Sequence, residues 1–401
     1  MKKLLGKSLI VLAVLTPLAA NAATESERQE LLSLLSEHPR WRQQEQNVYA
    51  VEADLDAAQQ PIYNPELSLS YEDADTAAYQ VGVSQTIDRS DKRAINTRIA
   101  ETRLEKQRLI KRQENNRLIA DTLRAMAELD SSNQQLVLET RNLALMQSLV
   151  EQAEKQYQAG DINQSDLKLV RLSVSNSILS QTEANNRHAK AEATITELLG
   201  QGGLQMAVHD LSFQPPSAAD INAILPRVLD VRLAKLDSQL SQLDIKRAAS
   251  LSKADPTIGF SLGDDDGNAT AAVTFTVPLN IRNSYSAEQR ASAFRNNQST
   301  ERLNQVLRAS QTLLEMLQTQ LQILDRGNRQ SKQDSETEIN AFSALMNRML
   351  QLGEITTRDY LQNLQQRNEA IASAIELNAR YQQAGIDWLE ASDQLFSWLN
   401  R

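Results

Sequence analysis

The chain has 401 residues, 41% hydrophobic but only 4% aromatic, with 51 acidic against 42 basic side chains and no cysteine. Its net charge of −9 argues against a nucleic-acid partner, because gripping a phosphate backbone needs a basic surface. Without cysteine there is no disulfide, no thiolate metal site and no thiol to carry a lipid.

Residues 1–22 read as an export signal: a lysine-bearing head, the apolar run "SLIVLAVLTPLAA", then Ala20-Asn21-Ala22 as a small-residue cleavage site. A membrane anchor is the alternative, but the run is shorter than the ~20 residues of a spanning helix and contains Pro17. Cleavage after Ala22 leaves 39 basic and 51 acidic residues, a charge of −12. No later segment reaches ~18 consecutive apolar residues, so residence in a membrane would require a β-barrel.

A helical lead-in over about 25–59 comes next. "NPELSLSYED" (64–73) then alternates apolar Leu67, Leu69 and Tyr71 with Ser68, Ser70 and Glu72, the period of a strand with one apolar face. A second strand is expected at 78–87, after the acidic turn "EDADT". None of the nine prolines falls between Pro65 and Pro215 or after Pro278, so those two stretches, rich in helix formers, can run as very long helices.

The pattern then starts again. Asn64-Pro65-Glu66-Leu67 matches Asp255-Pro256-Thr257-Ile258 at an offset of 191, Val81 to Ile87 matches Val273 to Leu279 at 192, and Gly160-Asp161-Ile162 with Asp166 matches Gly353-Glu354-Ile355 with Asp359 at 193. The chain reads as a tandem duplication. The first repeat spans 23–214, with a hairpin at 66–87 and a long helical hairpin at 89–200. The second spans 215–401, with a helical lead-in at about 227–252, a hairpin at 256–279 and a long helical hairpin at 285–399. In the fourth strand Val273, Phe275, Val277 and Leu279 share a face opposite Thr274 and Thr276. Its turn, "GDDDGN", lacks the sixth-position glycine and closing glutamate of a calcium loop and reads as a solvated turn.

The long helices carry a heptad rhythm. Leu303, Leu307, Leu314, Leu317, Leu321 and Leu324 step by threes and fours with Ser310 in one place; Leu361, Leu364, Ile371 and Ile375 do so around Asn368, and the stripe lapses at Asn378. A 65-residue helix is roughly 100 Å long, the proportion of a coiled-coil rod.

Strands of eight to ten residues match the ~9–11 that cross a bilayer when tilted, but four strands cannot close a barrel. An open edge in hydrocarbon costs several kcal/mol per unpaired backbone group. Either sister copies complete the wall, three giving twelve strands with Leu67, Leu69, Tyr71, Val273, Phe275 and Val277 toward lipid, or the hairpins pack on a soluble helical body.

This arrangement resembles the TolC-like outer-membrane factors, and within them the heavy-metal-efflux (CzcC-like) branch. "NPELSLSYE", "VGVSQTIDRSDKR", "YQAGDINQSDL", "ELLG" (197–200) and "FTVPLNIRNSYSAEQRASA" carry the resemblance, which covers the mature chain. It implies a mainly α fold with a small β part. In it, long coiled-coil helices form a trimeric α-barrel across the periplasm, and four strands per chain enter a 12-stranded transmembrane β-barrel in the outer membrane. It implies an exit duct of a tripartite efflux system, with a homotrimer, a periplasmic adaptor, an inner-membrane transporter of the RND type and outer-membrane lipid as partners. The turns Ala159-Gly160-Asp161 and Leu352-Gly353-Glu354 fall where such proteins receive the adaptor. Asp166 and Asp359 fall where the family narrows its pore with acidic side chains, although Asp359 also reads as a solvated helix residue. Gln362 stands where a second acid is common, and Leu350 and Ile355 where polar gating partners occur.

The sequence shows no phosphate loop, nucleophile elbow or C-x-x-C, and no enzyme is expected. His38, His188 and His209 lack metal-ligand spacing, and Met346 and Met349 read as helix packing. No cofactor is expected. A soluble periplasmic coiled-coil adaptor or structural rod is the rival reading, opposed by the absence of β-rich flanking domains.

Overall fold

A computed structural model describes residues 18–73, 77–200, 218–352 and 354–399. Most of the expected signal at 1–22 therefore lies outside the described residues, as do His209 and Gly353. The lead-in is two helices, α1 (Leu18–Glu37) and α2 (Pro39–Gln59), where the sequence suggested one. Pro39 forbids its predecessor the helical basin, so His38 is extended (φ −63°, ψ 138°). Its Nδ1 caps the new helix by accepting from the Arg40 N–H at 3.1 Å. Burial, and then the Arg40 charge, hold its pKa below the usual imidazole value.

Strands β1 (Glu66–Asp73) and β2 (Ala77–Thr86) lead into α3 (Lys92–Ala159) and α4 (Gln164–Leu199). After α5 (Ala218–Ile224) and a single 3-10 turn (Leu225–Arg227), α6 (Leu229–Leu251) leads to β3 (Thr257–Asp265) and β4 (Asn268–Thr276). Then follow α7 (Ser286–Gln351), α8 (Thr357–Ala391) and the short α9 (Leu395–Leu399). The proline-free stretches do run as long helices: α3 has 68 residues and α7 has 66, each roughly 100 Å at 1.5 Å per residue.

Helix α3 is the spine, packed along α2, α4, α6 and α8, while α7 packs on α6 and α8. The main core sits at the waist, where Leu35 (α1), Leu118 and Leu123 (α3), Ile195 (α4), Val231 (α6), Leu321 (α7) and Ile386 (α8) converge. The leucine stripe of α7 points inward as the heptads require, with Leu314, Leu317 and Leu321 buried and Leu303, Leu307 and Leu324 half-buried. Places where the stripe breaks are filled by polar rungs. Asn368 donates to Asn142 at 2.7 Å across α8 and α3, Asn142 donates to Ser177 of α4 at 3.3 Å, and Asn328 of α7 donates to Asn378 of α8 at 3.2 Å. Such rungs fix helix register, since a slip leaves amides unpaired.

The strands form one antiparallel sheet in the order β1-β2-β3-β4, and β2 against β3 joins the two hairpins. Strand β4 ends at Thr276, opposite Thr257 at the start of β3, so Val277 falls one residue beyond it, opposite Pro256, which has no N–H to offer a ladder. The β3–β4 turn is Asp266-Gly267, both left-handed (φ 53° and 76°), as a two-residue hairpin turn demands. Asp264 closes it by accepting the Gly267 N–H at 2.9 Å. No helix shares an extended contact with the sheet among the described residues, which contradicts hairpins packed on a helical body. No helix among the described residues is long and apolar enough to cross a membrane.

Candidate functional site

The register sorts the sheet into two faces. Rows running across the strands place Leu67, Val83, Phe260 and Val273 together, then Leu69, Val81 and Leu262, then Tyr71 with Tyr79, and on the other side Ile258 with Phe275. All are exposed; Leu69 and Val273 are 73% and 76% accessible. Rows two residues apart are ~7 Å apart, so the band is about 20 Å deep along the strands, near the ~25 Å apolar band of outer-membrane barrels. Tyr71 and Tyr79 pair at its outer edge with ring centroids 5.0 Å apart, as in an interfacial aromatic belt.

The opposite face is small and polar: Ser68, Ser70, Gln80, Gly82, Ser84, Gly259, Ser261 and Thr274. Space beside its glycines is tight. A Cβ added at Gly82 would sit 2.7 Å from Ser68 Oγ and 3.1 Å from Ser261 Cβ. The predicted lipid-facing residues share one exposed face of the sheet, with Val277 just past the end of β4.

At the sheet's base, Asp255 is locked among groups from both halves of the chain. Its carboxylate accepts from Lys92 Nζ at 2.8 Å, from the Tyr63 hydroxyl at 2.8 Å and from the Arg89 N–H at 3.2 Å, and its side chain is 4% exposed. Burial alone would raise its pKa, but these donors outweigh burial and hold it below the ordinary carboxylate range. Hydrogen bonding to Asp255, with burial, pushes Tyr63 up to about 12. Nearby, Asp88 caps α3 through the N–H groups of Lys92 and Arg93 at 2.9 and 2.8 Å. That residues 88–92 meet Asp255 is visible only once β2 pairs with β3.

At the far end of the long helices, Gly160 terminates α3 in the left-handed region (φ 84°), which glycine enters without steric cost. Its N–H donates to Tyr157 O at 3.1 Å, and the Asp161 N–H to Gln156 O at 2.9 Å. Glu354 repeats the second bond, donating to Met349 O at 2.9 Å. Ala159, Gly160, Asp161, Leu352 and Glu354 are all exposed. Beneath them Met146, Leu149, Leu167, Val170, Met346, Tyr360 and Leu364 form a second small core, with Ile162, Met349 and Ile355 packed on it. Ile355 is thus core packing, and the Leu350 side chain lies outside the described residues.

Asp166 and Asp359 occupy the same place in their helices. Asn163 Oδ1 caps α4 by accepting the Asp166 N–H at 3.0 Å, and Thr356 Oγ1 caps α8 by accepting the Asp359 N–H at 3.2 Å. Thr356 also donates its hydroxyl to Asp359 Oδ2 at 2.7 Å. The Asn-x-x-Asp and Thr-x-x-Asp spacings before apolar helices were a readable capping signal. No hydrogen bond or ion pair joins Asp166 to Asp359 among the described residues; the single chain brings them to one end but not together. Gln362, one turn beyond Asp359, lines a groove of about 510 Å³ between α4 and α8 that also holds Glu139, Asn142 and Leu172. Burial raises the Glu139 pKa against the opposing hydrogen bond of Asn142.

His188 contacts Ser132 Oγ at 3.4 Å and Glu192 at 3.4 Å, and no group of three or more metal-ligating His, Cys, Asp or Glu side chains forms among the described residues.

Residues 31–201 match the model of the outer membrane efflux protein family. Compared with curated proteins, the sequence finds no match. Among solved structures, the CmeC outer membrane channel of Campylobacter jejuni superposes with a TM-score of 0.77 at 12% identity, covering 92% of this chain and 86% of that one. The VceC outer membrane protein of Vibrio cholerae gives 0.74 at 13% identity, covering 92% and 96%. The open-state MtrE outer membrane channel of Neisseria gonorrhoeae gives 0.73 at 13% identity, covering 91% and 88%. The fold, mostly helical with one four-stranded antiparallel sheet, is the fold of these channels.

Proposed function

We propose that three copies of this chain form an outer-membrane exit duct of a tripartite efflux system. One observation carries the reading: a four-stranded sheet with an exposed apolar face and two unpaired edge strands stands at one end of a helical body about 100 Å long. In water that face has nothing to cover it; in a bilayer it is matched, provided sister strands close the edges. A soluble adaptor or rod gives no account of it. The family match over 31–201 and the fold support the reading.

The tandem duplication accounts for the repeated order of lead-in helix, hairpin and long helical pair. The signal at 1–22 delivers the chain to the periplasm, and the duct itself is passive, with energy supplied by an inner-membrane transporter of the RND type. The tips at Ala159-Gly160-Asp161 and Leu352-Gly353-Glu354 receive a periplasmic adaptor. Asp166, Asp359 and Gln362 line the closed end. A threefold axis turns each aspartate into a ring of like charge that favours cations, in keeping with a metal-ion cargo.

The capping geometry sharpens the test of the gate. Asp359→Ala is expected to raise the resting conductance of the reconstituted pore in planar bilayers. Thr356→Ala, which removes the cap at a cost of about 1 kcal/mol but keeps the carboxylate, is expected to leave the current near wild type. Equal currents in both variants would remove the Asp359 carboxylate from the gate.

A further inference from the structure

We propose the residue register of the seam between neighbouring copies, which rests on the trimeric reading above: β4 of one copy pairs antiparallel with β1 of the next, with Phe275 opposite the partner's Leu69 and Val273 opposite the partner's Tyr71.

The chain contains its own template for that seam. The first hairpin maps onto the second by offsets of 191 for β1 to β3 and 192 for β2 to β4. Applied to the pairs Leu67↔Val83 and Leu69↔Val81, these offsets return Ile258↔Phe275 and Phe260↔Val273, both of which the sheet contains. The relation between repeats is therefore true to the residue. The β2–β3 seam, where the repeats meet inside one chain, holds Val83↔Phe260, Gly82↔Ser261 and Val81↔Leu262. Carrying β2 onto β4, and β3 back onto the β1 of a second copy, gives three pairs in turn. Phe275 faces the partner's Leu69, Thr274 faces the partner's Ser70, and Val273 faces the partner's Tyr71.

Three features fit this register. Apolar residues meet apolar residues and hydroxyls meet hydroxyls, so the band and the small polar face both run on unbroken; a one-residue slip would set Val273 against the partner's Ser70 or the partner's Glu72. The hydroxyl pairs echo Thr86 and Thr257, whose oxygens are 2.8 Å apart at the internal seam. Finally, the internal seam extends past its strands through the Ile87 N–H donating to Pro256 O at 2.9 Å. The matching bond runs from the Leu279 N–H to the carbonyl of the partner's Pro65. It gives Val277 a place opposite the partner's Leu67 and occupies the segment where Leu279, 76% exposed, has no cover in one chain.

A slip of two residues preserves the faces, so the test must separate it. The natural chain has no cysteine, and β1 and β4 lie at opposite edges of one sheet, so paired cysteines can meet only between copies. The full-length protein is made in outer membranes as Val273→Cys/Tyr71→Cys, as Thr274→Cys/Ser70→Cys and, for the slip, as Val273→Cys/Leu69→Cys, then oxidised. Adjacent antiparallel pairs alternate between Cα separations of ~5.5 and ~4.5 Å, and both lie within disulfide reach. The first two variants are expected to run as a covalent three-chain band without reductant, and the third as single chains. Linkage of the slipped pair in place of the others overturns the register and leaves the trimer standing. No linkage in any variant, with a three-chain mass in detergent, overturns the register and leaves the trimer standing. No linkage with a single-chain mass overturns both seam and trimer.

Discussion

Arginine in place of Leu69 is expected to abolish assembly in the outer membrane, whereas arginine at the adjacent Ser70 is expected to be tolerated. The two side chains project from opposite faces of β1, Leu69 into the apolar band and Ser70 toward the small polar face. A lipid-facing arginine near the bilayer midplane costs ~2–4 kcal/mol, and three copies bring it to about 6–12 kcal/mol per assembly. In the proposed barrel the Ser70 face looks into water, so the guanidinium stays hydrated and the change only narrows the lumen. Heat-modifiable bands in outer-membrane fractions read the difference. Equal assembly of the two variants would mean that the apolar face is not in lipid.

Asp255→Ala is expected to destabilise the folded protein by about 3–5 kcal/mol, because it strands the mostly buried Lys92 ammonium (16% exposed) without its counter-charge. Tyr63→Phe, which removes one donor but no charge, is expected to cost about 1 kcal/mol. The pH dependence follows from the shifts. Asp255 titrates below its unfolded value, so its contribution is full above a pH of about 3.9 and is lost as pH falls through the lower folded value. Tyr63, raised to about 12, contributes below a pH of about 10 and loses that contribution as pH rises through about 12. Denaturation of wild type and both variants at neutral and acid pH checks this; an acid-independent gap for Asp255→Ala would contradict it.

Periodicity made much of this architecture legible. Proline-free stretches gave α3 and α7, and strict alternation placed Leu67, Leu69, Tyr71, Val273 and Phe275 on one face, since both rules depend only on local backbone geometry. Contacts between distant segments were not legible. Asp255 lies 163 residues from Lys92, and no local pattern announces that pair. Asn368 and Asn378 looked like lapses in a heptad, when each has an amide partner on a facing helix. At the helix-turn end the family resemblance offered Asp166 and Asp359 as pore acids, and the structure adds that each sits in a cap. The break at Pro39 was readable from the proline itself but outweighed by the helical composition around it.

The proposed duct requires sister copies to complete a wall that one chain leaves open. Light-scattering mass of the full-length protein, extracted from outer membranes in mild detergent and corrected for bound detergent, tests this most directly. Three chains per particle is the predicted result. A particle of one chain that also remains dispersed in detergent-free buffer would contradict it.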